Sequence, residues 1–554
     1  MVRFRSSAPK LPHPWTGEEY TCGFPVTLLP ELCMRAVSNA IREKDQWWTK
    51  YKNPVIAARW KQEILESGNL LTEPQIRFIF QELEWYAGLR QQQLDKGISI
   101  PIEMAIDGTR RADGLIPPSL KEELMTCVAK LINVPEHQKD WHPNSNKQVL
   151  DLVHPSLFPV IAGRTRVAEE MPSMASPFEW IGRGTVLEKL NNEEEQYFDS
   201  NVKSYSSRKY QWLPTDVHYF QNGRCAFESY INNLHPIEHK ALYPVLEEIL
   251  EYFMPMFGEV LAEMRVISRK KRRLTADPYD WYEIPEAFKV PYSERDEASY
   301  DAEDEWCRIR TPKPVSVPEF VAPPVVEPYD LKAVDLQPLQ VIVKLANIEL
   351  TPENPRYEGG AWHVEGMANE DIVATGIYYY HSENVTETRL NFRIAVEEPD
   401  YEQSDVRGCE AMYGLTDGGP LVQNLDGIIT KQDRCIAFPN IYQHQVQPFE
   451  LEDKTRPGTR QILVFFLINP QQSILSTSEV PPQQKDWIMG GGFVDEVEKR
   501  LPAELVEQVE EQMDWPMSMA EAKNHRLDLM KERKFFVDTT NAELFERPFS
   551  LCEH

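Results

Sequence analysis

The sequence predicts an α+β protein, a β-sandwich or jelly roll flanked by helical regions at both ends. Three observations predict it. Before about residue 200 apolar residues recur at the spacing of helix faces. Between 339 and 469 they alternate as strands do, and beyond Pro481 the helical pattern returns. At 554 residues the chain exceeds one ordinary core. We therefore expect a helical region over 1–205, a jelly-roll unit over 206–475 and a C-terminal helical region over 476–554.

The elements are justified in order. Thr72 with Gln75, and Ser119 with Glu122, have the spacing of capping boxes. The first precedes Ile76, Phe78, Ile79, Leu83 and Tyr86, one apolar helix face; the second precedes Leu124, Val128 and Leu131. Segments 210–214 and 228–236 have the look of short strands with turns. A long amphipathic helix follows, carrying Leu242, Val245, Leu246, Ile249, Leu250 and Phe253. His235 and His239 lie at its start without the glutamate of a His-Glu-x-x-His metal motif, which points to capping or a buried hydrogen bond.

Six prolines at 312, 314, 318, 323, 324 and 328 rule out a helix interior or a central strand. This stretch is expected to be an extended connector within a Pro-rich insert at about 266–330. Segments 339–345, 390–396, 435–438 and 461–467 are strands by alternation or by apolar runs. Ser518 and Glu521 form a further capping box ahead of the charged helix 523–534.

The formal charge of −28 argues against nucleic acid as a partner, because binding it needs a basic surface to displace counterions. The run Arg269–Arg273 opposes this trend; a solvated loop explains it, and a nuclear-import signal is the minor alternative. No apolar run reaches the ~20 residues that span a bilayer, and residues 1–7 lack the apolar segment of a secretion signal. The expected location is cytoplasmic, without a membrane partner. Eight cysteines contain no Cys-x-x-Cys pair, so neither a disulfide framework nor a zinc knuckle is expected.

The chemistry concentrates in Gly359-Gly360-Ala361-Trp362-His363-Val364-Glu365-Gly366. With 12 histidines and 87 acids in 554 residues, chance alone supplies about two His-x-acid pairs, and the chain has two, His363/Glu365 and His381/Glu383. Context favours the first. On a strand, period two would put both side chains on one face, and the flanking glycines leave room for a ligand. His444 is the distal partner, because the later histidines lie in the helical tail. Two histidines and one carboxylate are the ligands of an open facial iron(II) site. Arg460, opening the strand Ile462, Val464, Phe466, needs an anionic partner, and its planar guanidinium suits a carboxylate. Tyr378 and Tyr380 are candidates to hold the co-substrate or substrate. His381, Asn391 and Arg393 are candidate supporting or substrate contacts.

The order strand, His-x-acid, distal His, then Arg resembles the iron(II)- and 2-oxoglutarate-dependent dioxygenases. More narrowly, segments 210–214, 229–236, 350–353, 359–366, 411–420 and 438–444 resemble a fungal family catalogued as a domain of unknown function. The resemblance implies a double-stranded β-helix (jelly-roll) core, iron at His363, Glu365 and His444, and 2-oxoglutarate at Arg460. The broad superfamily mostly carries Asp where this chain has Glu365, so reach differs by one methylene. The implied activity is oxidation of an unactivated C–H bond of a small metabolite by dioxygen. A free aliphatic amino acid is the leading substrate candidate, with hydroxylation, desaturation and ring closure all open. Two rivals stand beside it: a non-catalytic jelly-roll binding or scaffold protein, and a cupin-type metal dioxygenase without 2-oxoglutarate. Nothing in the sequence sets the oligomeric state.

Overall fold

A computed structural model describes residues 3–4, 11–12, 14 and 24–551, except 69–70, 96–101, 104–105, 169–176, 190–204, 267–271, 290–292, 294–295, 325, 491–501, 503–504 and 506–515. The helices used below are α1 (Leu29–Arg42), α2 (Glu73–Asp95), α3 (Pro118–Ile132), α4 (Leu242–Met264) and α5 (Met519–Thr540). The strands are β1 (Ile102–Glu103), β2 (Arg110–Asp113), β3 (Val149–Val153), β4 (Thr215–Tyr219), β5 (Cys225–Phe227) and β6 (Leu339–Leu350). They continue with β7 (Ile372–Glu383), β8 (Arg389–Ala395), β9 (Val422–Ile429), β10 (Arg434–Pro439), β11 (Gln443–Val446) and β12 (Gly458–Ile468).

Helices and antiparallel sheets are thus combined around a sheet-rich core compatible with a jelly roll. The larger sheet runs β5-β4-β6-β12-β7-β10-β2-β1, with β3 also paired to β6. A smaller sheet runs β9-β8-β11. Residues opposite each other in a ladder share a face. The register pairs Lys344 with Val464 and Ile348 with Arg460, then Val464 with Ile377 and Ile462 with Tyr379. These side chains therefore occupy one face of the larger sheet, and the smaller sheet covers it. Phe392 of β8 meets Phe438 of β10 with ring centroids 5.1 Å apart.

The opposite face packs on α4. Phe465 meets Phe253 at 5.6 Å, and a Cβ at Gly376 would lie 2.6 Å from the Phe253 ring. Only glycine lets the helix approach so closely. The α4 side chains Leu246, Ile249, Leu250, Phe253, Phe257, Val260 and Leu261 are fully buried, because the helix is covered by the sheet and by the elements around it.

Several expectations hold. Thr72 N–H donates to Gln75 Oε1 at 2.8 Å, completing a cap on α2, and Glu521 N–H donates to Ser518 Oγ at 3.2 Å on α5. Residues 311–324 and 326–328 form no helix or strand, as the prolines require. His235 Nδ1 accepts from the N–H groups of Ile237 and Glu238, a cap and not a metal ligand.

Other expectations are corrected. The region before 205 is not helical throughout: β2 pairs with β10 and β3 pairs with β6, so both belong to the larger sheet. Ser119 lies inside α3, whose start is set by Pro117 and Pro118. Residues 228–236 form turns and no strand. Within the basic run, Arg273 pairs with Glu82 at 2.6 Å and Arg272 lies 3.6 Å from Asp107, so both are internal ion pairs; residues 269–271 lie outside the described residues. Cys33, Cys127, Cys225, Cys307, Cys409 and Cys435 are free thiols, and Cys22 and Cys552 lie outside the described residues.

Helix α5 is fastened along its length to the rest of the molecule. Glu521 pairs with Arg164, Arg526 with Asp140, and His525 Nδ1 contacts the Tyr210 hydroxyl at 3.1 Å. Arg533 bonds the buried Glu370 and stacks on Trp212, 3.8 Å from the ring centroid. Among the described residues no helix is long and apolar enough to cross a membrane.

Candidate metal centre

His363, Glu365 and His444 converge. Each offers one ligand atom, and these atoms all lie within 4.8 Å of one another. The backbone explains how. Segment 359–366 is not a strand, as the sequence suggested, but a loop touching β11 through a single bridge between His363 and His444. The loop's entry is fixed by Gly359, at φ +88°, where a Cβ would lie 2.6 Å from Val446 O. Gly360 N–H donates to Val446 O at 2.9 Å, and Gln445 Nε2 donates to Gly360 O at 2.9 Å.

The exit is held by two buried side chains that sequence reasoning missed. Asn440 Oδ1 accepts from Glu365 N–H at 2.8 Å, and its Nδ2 donates to Glu365 O and to Ile372 O. Glu370 accepts from the N–H groups of Met367 and Trp212. Asn440 reaches Glu365 across 75 residues and Glu370 reaches Trp212 across 158, so no local pattern announces these partnerships.

His444 Nε2 lies 3.2 Å and His363 Nε2 3.6 Å from Glu365 Oε1. His363 Nδ1 lies 2.8 Å from Ala361 O, which can only accept, so Nδ1 carries the hydrogen. In a neutral ring the Nε2 lone pair then points at a carboxylate oxygen, and only a proton or a metal cation between them resolves the repulsion. Ligand atoms about 2.1 Å from a common ion stand about 3 Å apart, close to the spacings here. The donor set therefore fits a divalent transition metal.

The electrostatics agree. Burial opposes the Glu365 charge, yet hydrogen bonds from His363 and His444 hold its carboxyl well below the usual range. Burial also works against a charged His363, but the bond and charge of Glu365 outweigh it and raise its pKa. His444 is lowered by burial and then by the His363 charge. The His444 side chain is 4% exposed, whereas His363 is 35% exposed, so the triad opens on the His363 side.

Arg460 is buried on the same sheet face. Its guanidinium stacks on Phe449, 4.3 Å from the ring centroid. Its Nε and Nη1 are buried and have no hydrogen-bond partner among the described residues. Burial lowers its pKa to about 10. A buried, unpartnered guanidinium costs several kcal/mol unless an anion completes it.

The remaining candidates fall elsewhere. Tyr378 shares the face of Gly376, toward α4, with Tyr380 beside it at 6.1 Å; neither faces Arg460. This corrects their expected role. Tyr379 between them takes the inward place, opposite Ile462, and the Arg460 charge acts on it. His381 is opposite Gln461, whose alternation places it away from Arg460, and lies 3.8 Å from Glu383. Asn391 lies beside Gly427 on the outer side of β8, opposite in alternation to the inward Phe392. Arg393 bonds Gln443 and Glu546 and stacks on Trp362 at 4.8 Å, bracing the residue before His363.

A second cluster, His142, Asp151 and His154, also has metal-ligand spacing. Its surroundings disfavour a cation. Arg526 lies 3.7 Å from Asp151, and His154 Nδ1 accepts from Ser156 N–H, which leaves the hydrogen on Nε2 in the neutral ring.

Comparison with known proteins places the chain in a family. Residues 73–490 match the family described as a protein of unknown function, DUF4246, and residues 3–63 match its N-terminal domain. The chain belongs to this family. No curated protein matches. Among solved structures, an Fe(II)/α-ketoglutarate-dependent dioxygenase, TqaL, is 12% identical over 63% of this chain and 88% of its own, at a TM-score of 0.18. IDO from Bacillus thuringiensis is 10% identical over 25% of this chain and 48% of its own, at a TM-score of 0.17. A bsmA homologue from Methylobium petroleophilum is 11% identical over 24% of this chain and 42% of its own, at a TM-score of 0.15. The match thus spans less than half the length of the latter two.

Proposed function

We propose that this chain is an iron(II)- and 2-oxoglutarate-dependent oxygenase with a double-stranded β-helix core, acting on a small organic substrate. One observation carries the reading: a His/Glu/His triad and an unpartnered buried guanidinium occupy the same interior between two sheets. The strand orders support the fold assignment. The larger sheet contains β6-β12-β7-β10, and the bridge at His363 extends the smaller sheet to His363-β11-β8-β9, so the chain crosses repeatedly between sheets.

The residues have separate tasks. His363, Glu365 and His444 would hold the metal, and Asn440 fixes the backbone of the carboxylate ligand. Arg460 binds the far carboxylate of 2-oxoglutarate, with Phe449 under its guanidinium and Tyr379 alongside. The apolar wall of Ile462, Val464, Ile377 and Phe466 excludes water around the reacting carbon. Bound iron supplies the redox chemistry that couples oxidation of the substrate by dioxygen to decarboxylation of 2-oxoglutarate.

The test is anaerobic titration with iron(II) and 2-oxoglutarate. A weak visible charge-transfer band should grow with stoichiometric metal, vanish in His363→Ala and lose its 2-oxoglutarate dependence in Arg460→Met. Wild-type protein that binds no iron would sink the reading in favour of a binding protein. Iron binding indifferent to 2-oxoglutarate favours a cupin-type enzyme.

A further inference from the structure

Lys344 is the one cation on the inner face of β6, where its same-strand neighbours Ile342, Ala346 and Ile348 are apolar. The continuous register from Val341 to Leu350 sets this without ambiguity: Lys344 is opposite Val464, and Ile348 is opposite Arg460. Lys344 and Arg460 therefore open onto the same interior. The Lys344 charge reaches His363 on one side and Asp151 and His154 on the other. No carboxylate lies within ion-pair distance of it among the described residues. Asp151, the acid it acts on, meets His142 at 2.7 Å and Arg526 at 3.7 Å, both through Oδ2, and its Oδ1 makes no hydrogen bond among the described residues. Lys344 is only partly buried, so its ammonium can meet a ligand entering from the open side of the triad.

An ammonium in an apolar wall beside a metal-binding triad has a chemical consequence. Arg460 is suited to one carboxylate, and a second cation on that face selects a second anionic group. We infer that Lys344 holds a carboxylate of the organic substrate, so that the pocket accepts acids and rejects the corresponding amides. This deepens the oxygenase reading and rests on it. Lys344 is a specificity-determining residue; it transfers no proton and forms no bond to the metal.

The probes are L-valine, L-isoleucine and hexanoate, each against its primary amide. Each is titrated into wild type, Lys344→Met and Lys344→Arg. Binding is read by the visible band of protein loaded with iron(II) and 2-oxoglutarate under argon, and by melting temperature on metal-free protein. At least one acid should bind wild type tenfold or more tightly than its amide. Lys344→Met should lose that preference and Lys344→Arg keep it, with 2-oxoglutarate affinity unchanged within twofold in both. A tenfold fall in 2-oxoglutarate affinity in Lys344→Met would instead assign the ammonium to the co-substrate and overturn the inference. So would an acid preference that is absent from wild type or survives in Lys344→Met. Failure of wild type to bind iron sinks the oxygenase reading, while the metal-free comparison still reads Lys344 alone.

Discussion

His363 and His444 exchange both backbone hydrogen bonds, His363 N–H to His444 O at 3.2 Å and His444 N–H to His363 O at 2.9 Å, and their rings lie 4.4 Å apart. The two-way exchange fixes both Cα positions, and the Nδ1–Ala361 O contact at 2.8 Å orients the His363 ring. Each prediction below perturbs one part of this arrangement.

Asn440→Ala removes the clamp on the Glu365 backbone without touching a ligand atom. Iron(II) affinity should fall about 10–100-fold, the range for supports of metal ligands. Calorimetric titration measures it, and an unchanged affinity would show that the loop holds itself.

Gly359→Ala places a methyl against Val446 O at a positive φ. It should cost about 1–3 kcal/mol of stability and weaken metal binding in the same protein. Urea denaturation and metal titration together check this; a loss of stability with full metal affinity would contradict the assigned role.

Arg460→Met should raise the melting temperature of ligand-free protein, because a buried cation without a partner is exchanged for an apolar chain of similar length. The expected gain is about 1–3 kcal/mol. The same variant should show no stabilisation by 2-oxoglutarate. Destabilisation of the ligand-free variant would mean that the guanidinium already has a partner.

His154 governs a pH dependence. Burial lowers its pKa to about 3, with Asp151 opposing and Lys344, His142 and Arg526 adding to the shift. Its ordinary value is about 6.5, so the unfolded chain binds the proton first. The stability it confers is complete above pH ~6.5 and is lost progressively as pH falls toward 3, at up to about 1.4 kcal/mol per unit. His154→Asn should flatten the pH dependence between 6.5 and 5, where Asp151, lowered to about 2, does not titrate. Urea midpoints at pH 7, 6 and 5 decide it, and parallel profiles would refute it.

Much of this was legible in the residues. Strands β6, β8, β10 and β12 fall where apolar runs or alternation put them, because burial on one or both faces leaves that pattern. The convergence of His363, Glu365 and His444 was legible from context, although not through the strand that was expected to produce it. His363 and Glu365 are held by a glycine-bounded loop and one bridge, not by a strand. Parity misled at the tyrosines. Alternation tells that Tyr378 and Tyr380 differ from Tyr379, but not which side α4 covers, and that depends on a helix more than a hundred residues away. Asn440 and Glu370 were invisible for the same reason: Asn440 serves Glu365 across 75 residues, and Glu370 meets Arg533 across 163.

The grip of Arg533 on Glu370 ties the loop that carries Glu365 to the distant helix α5. Glu370 anchors Met367, two residues past Glu365; burial raises its pKa, and the Arg533 charge, 163 residues later, works against that rise. Without α5, the loop that carries Glu365 would lack that counter-charge. The order of the backbone just past Glu365 is therefore tied to the seating of α5 on Trp212.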